Sequence, residues 1–170
     1  MTIDYLAEAE KYRPSVISTL LIGEAPPPSG TVYFYVPRAM PITRPVESDA
    51  NLPATIFNHY FGTRPRSTEE YIKLLSALKA RGVFLVDICD EPVKVRGSEE
   101  GLCRIIHEIP HLRSKLKDRG ITIAEESMVF LLARRNYKSH IRCEFPAAQC
   151  FTWKKFRTEP GVTHESPPVY

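Results

Sequence analysis

Thr19-Leu20-Leu21-Ile22-Gly23-Glu24-Ala25-Pro26-Pro27-Pro28-Ser29-Gly30-Thr31-Val32-Tyr33-Phe34-Tyr35 is the stretch on which the fold turns. An apolar, β-rich run stops at Gly23-Glu24, becomes a proline-stiffened loop and ends in three consecutive aromatics. The continuous apolar character from Val16 to Ile22 predicts a central strand covered on both faces. A strand that delivers an acid and an aromatic step onto one loop suits a flat ligand. Open α/β sheets bind ligands beyond the carboxyl ends of their strands. The alternative is a strand closing in a rigid turn whose aromatics are core.

Two further runs of the same kind lie downstream. Val83 to Ile88 is interrupted by one carboxylate, Asp87, and Met128 to Ala133 is wholly apolar. Helical patterns separate them. Ile3 to Arg13 is a short helix ended by Pro14. Leu52, Ile56, Phe57, Tyr60 and Phe61 mark a helix face that stops at Gly62. Ser67 and Glu70 form a capping box for a helix with Tyr71, Leu74, Leu75 and Leu78 inward and Gly82 as its stop. Ser98 caps a helix that Pro110 breaks, with Leu112 and Leu116 continuing the face to Gly120. Phe145 to Trp153 is a fourth strand or a loop. Apolar strands alternating with helices predict an α/β fold, a parallel sheet with helices on both faces. The proline-rich segment from Pro37 to Pro53 is a long loop over the top of the sheet, a length that usually signals function.

With 170 residues and 43% of them hydrophobic, one domain over 1–157 can bury a core without metal or disulfide staples. The polar, proline-rich remainder, 158–170, reads as a disordered tail. A net charge of +3 permits an anionic partner without demanding one. No apolar run reaches membrane-spanning length and Met1-Thr2-Ile3-Asp4 is no signal peptide, so a cytoplasmic monomer without membrane contact is expected. Cys89, Cys103, Cys143 and Cys150 lack metal-site spacing and are expected to be buried thiols. The five histidines show no ligand spacing on a firm element, and no metal or cofactor is assigned. The chain has neither a P-loop nor a Gly-x-Gly-x-x-Gly turn after a strand.

Under a parallel topology three strand ends meet at one mouth. They bring Glu24, Asp87 with Asp90, and Arg134 with Arg135. A carboxylate inside an apolar strand must be hydrogen-bonded or charge-paired, because even a neutral polar group left unpartnered costs about 2–7 kcal/mol. Asp87 is therefore either a structural acceptor or a pocket-facing group. Arg134, Arg135, Lys154 and Lys155 are either a solvated cluster or a phosphate-facing rim.

At Leu21-Ile22-Gly23-Glu24-Ala25-Pro26 the chain resembles the uracil-DNA glycosylase superfamily. The first motif of that family is a strand leading into Gly-Glu-Ala-Pro and then an aromatic that stacks on the extruded base. The resemblance implies a three-layer α/β/α sandwich around a mainly parallel four-stranded sheet, and a DNA or nucleobase partner. It implies Glu24 as the water-orienting acid, with Gly23, Ala25 and Pro26 shaping the pocket. One of Tyr33, Phe34 and Tyr35, with Phe34 preferred, would be the stacking ring. Asp87 falls where the family has an Asn that reads the edge of uracil. There are departures. Pro27 stands where the family has Gly or Tyr, and no His-Pro-Ser motif follows the last strand. The nearest corresponding loop is Phe145-Pro146-Ala147-Ala148-Gln149. No cysteine precedes Cys89, so no iron–sulfur cluster is expected.

Cleaving the bond to a flipped base needs a stacking platform, an edge reader, a water-orienting acid and a donor for the departing base anion. Phe34, Asp87 and Glu24 match the first three; the donor has no good candidate, Gln149 and His140 being the nearest to the role. An ionised Asp can only accept, whereas Asn both accepts and donates. Asp87 is therefore expected to disfavour uracil and to suit an amino-bearing edge such as that of cytosine. Three functions are compatible with these residues: a glycosylase-type hydrolase of a damaged or modified base in DNA, a non-catalytic nucleobase or nucleic-acid binder, and an α/β protein with unrelated small-molecule chemistry.

Overall fold

The structure, a computed structural model, describes residues 3–27, 33–37, 52–93, 98–133 and 136–158. Four parallel strands form its centre: β1 (Thr19–Gly23), β2 (Val83–Asp87), β3 (Met128–Leu132) and β4 (Gln149–Thr152), in the order β2-β1-β3-β4. The helix α1 (Tyr5–Glu10) precedes β1; α2 (Leu52–Phe61), α3 (Thr68–Ala80), α4 (Glu99–Glu108), α5 (Leu112–Asp118) and α6 (Lys138–Glu144) lie between strands, and α7 (Trp153–Thr158) follows β4. Leu20, Leu21 and Ile22 of β1 are fully buried, as are Phe130 and Leu131 of β3. Neighbouring side chains on a strand point to opposite faces, so both faces of the sheet are covered. The predicted α/β/α sandwich is the observed fold, and among the described residues every strand pairing is parallel.

Most helix boundaries follow their sequence signals, although α1 ends at Glu10, short of the expected stop at Pro14. Asp4 accepts from the Ala7 N–H, Ser67 from Glu70 and Ser98 from Gly101. Gly62, Gly82 and Gly120, the expected stops, all have positive φ. The Glu70 carboxylate accepts from Arg66 N–H at 2.6 Å, one residue outside the reciprocal capping-box position. Pro110 converts the helix into a 3-10 turn, Ile109–His111, between α4 and α5.

Two expectations are corrected, and one that was left open is resolved. The first strand starts at Thr19 rather than Val16, which is 75% exposed. The backbone there serves the turn after α3 instead, because Ser18 N–H donates to the Gly82 carbonyl and Ser18 Oγ to that of Arg81. A Cβ on Gly82 would lie 2.9 Å from the Val16 carbonyl, so this close approach needs glycine. The 145–153 segment resolves into a turn and then β4, and the basic run after it is helical. Of the four cysteines only Cys89 is buried. Cys103 and Cys143 are exposed and Cys150 is intermediate. Burial first, then the nearby Glu108, pushes the Cys89 thiol up to about 11. The long loop expected over 37–53 lies outside the described residues except at its two ends, as does the expected tail beyond 158.

The aromatic triplet is part of the core. Tyr33, Phe34 and Tyr35 are 5%, 6% and 3% exposed. The Tyr33 ring meets Tyr5 edge-on, and Phe34 stacks on Phe57 at 5.7 Å. Tyr71 Oη donates to the Phe34 carbonyl at 2.9 Å. Tyr35 Oη accepts from Leu85 N–H at 2.7 Å and donates to the Leu85 carbonyl at 3.1 Å. β2 is an edge strand, and its outward backbone groups at Leu85 are thus satisfied by one phenol. Both roles need a neutral hydroxyl. Burial pushes the Tyr35 phenol far above its ordinary range and keeps the proton in place.

Candidate functional site

The strand order makes the carboxyl end of β1 the centre of the site. The chain passes from β1 to β2 on one side and then crosses from β2 to β3 on the other side of β1, so the order reverses there and a crevice opens between β1 and β3. Register fixes which residues border it. Gly23 pairs with Asp87 and Ile22 with Phe130, placing Glu24 level with the last residues of β3. The ladder continues past β1 and β2, with Ile88 N–H donating to the Gly23 carbonyl and Cys89 N–H to that of Glu24. The backbone carrying Glu24 is therefore held as firmly as the strand.

The Glu24 side chain is 6% exposed and reaches across to the β3 side. Its Oε1 accepts from Ala133 N–H at 2.6 Å and from the Tyr137 hydroxyl. Asp87 is half-buried at the end of β2. A Cβ built on Gly23 would collide with Asp87 Oδ1, so that carboxylate lies against the face of Gly23. Burial is the main cause that pushes the Tyr33 phenol up, and the Asp87 charge adds to it.

Gly23→Ala is expected to cost about 1–3 kcal/mol, the usual scale for overpacking. The cost should fall sharply in an Asp87→Ala background, where the added methyl meets no carboxylate. Urea unfolding of both single variants and the double checks this. Equal losses in both backgrounds would mean that Asp87 does not sit where the geometry puts it.

The other sequence candidates divide. Ala25 and Pro26 are buried in the turn after Glu24. Asp90 is held away from the crevice by Lys115, whose Nζ also donates to the Ile88 carbonyl. Phe34 is in the aromatic core, with little surface to offer a base. Gln149 pairs with Val129 at the amino end of β4, whereas Thr152 pairs with Leu132 at the mouth end. It is therefore three residues, about 10 Å, from the mouth level. His140 is exposed on α6, and Lys154 and Lys155 are exposed on α7. Arg134 and Arg135 lie outside the described residues.

Two residues at the mouth escaped the sequence reading. Tyr137, fully packed before α6, is one. Its only signal is an aromatic in a basic, polar segment. Trp153, directly after β4, is the other. It stands in Phe151-Thr152-Trp153-Lys154-Lys155-Phe156-Arg157, where aromatics alternate with basic residues.

At the far end of the sheet an open groove of about 670 Å³ is lined by Glu10, Arg13, Val16, Lys79 and Gly82, among others. Its charges are already engaged. Glu10 pairs with Arg13 and Arg119, and Lys79 Nζ donates to the Lys11 carbonyl. The mouth is the better candidate because it gathers acids and donors from several strand ends. Among the described residues no group of three or more His, Cys, Asp or Glu side chains is placed to hold a metal ion, and no helix is long and apolar enough to cross a membrane. Comparison with family models, with curated proteins and with solved structures finds no match to this chain.

Proposed function

We propose that this chain is a uracil-DNA glycosylase-like protein that receives a nucleobase at the mouth between β1 and β3, and that hydrolysis of the N-glycosidic bond of a damaged or modified base in DNA is its reaction. The observation that carries the reading is Glu24, a buried carboxylate rooted at the divergence of the strands and oriented by Ala133 and Tyr137. An acid fixed in this way can orient a water without reorganising as charge develops. Asp87, on the neighbouring strand end, supplies the edge-reading acceptor, and an acceptor-only reader favours an amino-bearing base over uracil.

A second reading, recognition of a base without cleavage, is favoured by the core position of Phe34 and the remote position of Gln149. Those two placements leave the stacking role without the residue the sequence suggested for it and take Gln149 away from the anion-donor role.

End-labelled oligonucleotides, each carrying one deaminated, oxidised or alkylated base, separate the two readings. After incubation and alkaline strand scission, the wild type is expected to cleave at an amino-bearing modified base. Glu24→Gln should slow this about 10²–10⁴-fold, the usual worth of a positioned acid or base. Asp87→Asn should shift preference toward uracil. Binding without scission on every substrate supports the second reading, and neither binding nor scission removes the nucleic-acid assignment. Clear uracil preference in the wild type would refute the role given to Asp87.

A further inference from the structure

The mouth has an aromatic ring that the family pattern does not supply. Trp153 is the only tryptophan in the chain, and it begins α7 directly after Thr152, the residue paired with Leu132. Its Nε1–H donates to the Leu131 carbonyl at 3.3 Å, which ties the indole back to the end of β3. Two residues along that strand's exit, Ala133 donates its N–H to Glu24. Trp153 and Glu24 thus approach the same stretch of backbone, one from the β4 side and one from the β1 side.

Exposure separates this ring from the others. Phe34 and Tyr137 are 6% and 2% exposed, whereas Trp153 is only partly buried. It leaves β4, an edge strand whose residues are all at least partly exposed. Lys154 and Lys155 follow it, both exposed, and Lys155 Nζ lies 5.7 Å from the Phe151 ring centre. A fixed indole beside exposed cations is the composition of single-stranded nucleic-acid grooves. There aromatics take base faces and basic side chains follow the phosphates.

We infer that Trp153 is the stacking surface for a base of single-stranded DNA at this mouth, with Lys154 and Lys155 meeting the flanking phosphates. This rests on the nucleobase reading above and assigns its missing platform. The hydrogen bond to Leu131 sets the ring plane before the ligand arrives, so little is lost in ordering it.

The single tryptophan makes the test direct. A labelled single-stranded oligonucleotide is titrated into the full chain at low salt, with label anisotropy and intrinsic indole emission followed together. Saturation should quench Trp153. Trp153→Leu should weaken binding about tenfold, within the range for one stacked base, while Trp153→Phe should retain most of the affinity. Lys154→Ala and Lys155→Ala should each flatten the plot of log affinity against log salt by about 0.7. Binding with unchanged indole emission, or with equal affinity in Trp153→Leu, overturns the inference and leaves the nucleobase reading standing. No binding by the wild type removes both. The emission change in the wild type needs no variant, so the test survives even if Trp153→Leu does not fold.

Discussion

Tyr35→Phe is expected to lower the stability of the protein by about 2–4 kcal/mol, although it removes a single oxygen. That oxygen is both acceptor and donor for Leu85, on the outer edge of β2. Its loss strands a buried N–H and a buried carbonyl together, and each such group costs about 1–3 kcal/mol. Phenylalanine keeps the ring and its stack on Tyr12, so packing changes little. For a chain of this size each kcal/mol moves Tm by about 2–4 °C, which puts the expected fall at about 4–16 °C. Tyr71→Phe is the control. It removes one donor, to the Phe34 carbonyl, and a carbonyl has less to lose than an N–H and C=O pair. Denaturant midpoints with unchanged slopes would show that the folded state alone is affected. A Tyr35→Phe protein as stable as Tyr71→Phe would refute the edge-plug account.

This plug also shows where sequence reading stopped. The strands, their order of appearance and the glycine and serine boundaries of the helices all come from local patterns, and those were legible. Tyr33-Phe34-Tyr35 was not, because a ring that stacks on a ligand and a ring that stacks on Phe57 have the same residue-level signature. What separates them is a partner far away in the chain, Leu85 for Tyr35 and Phe57 for Phe34. Gln149 failed for a related reason. Its place at the mouth or at the opposite end depends on where β4 begins, and strand ends are the least local feature of a sheet. Asp87 was legible because it interrupts an apolar run, which must be compensated wherever it occurs, and Glu24 because it stands at the end of one.

The compensation of Glu24 gives the other large expected effect. Glu24→Ala should destabilise the protein by about 3–5 kcal/mol, because it empties a buried site and leaves Ala133 N–H and the Tyr137 hydroxyl facing the space. Glu24→Gln keeps the shape and one acceptor oxygen, so it should lose clearly less. Tyr137→Phe removes one donor to an ionised acceptor, and hydrogen bonds to charged groups are worth about 1.5–3 kcal/mol. Since the two side chains share a bond, their effects should not add. A double-mutant cycle with Glu24→Ala and Tyr137→Phe is expected to give a coupling energy of about 1–3 kcal/mol. Coupling within the error of additivity, about 0.5 kcal/mol, would mean that Tyr137 does not hold the carboxylate. The cycle also bears on function. Glu24 joins the loop after β1 to the loop after β3 across the crevice where a ligand would enter. A strong coupling means that the acid is fixed before any ligand arrives, as water orientation requires. Tyr137→Phe should then reduce cleavage or binding even though its hydroxyl touches no substrate. If coupling is strong and that variant binds and cleaves as well as the wild type, the Glu24–Tyr137 contact is a brace for the fold and the acid of the reaction lies elsewhere at the mouth.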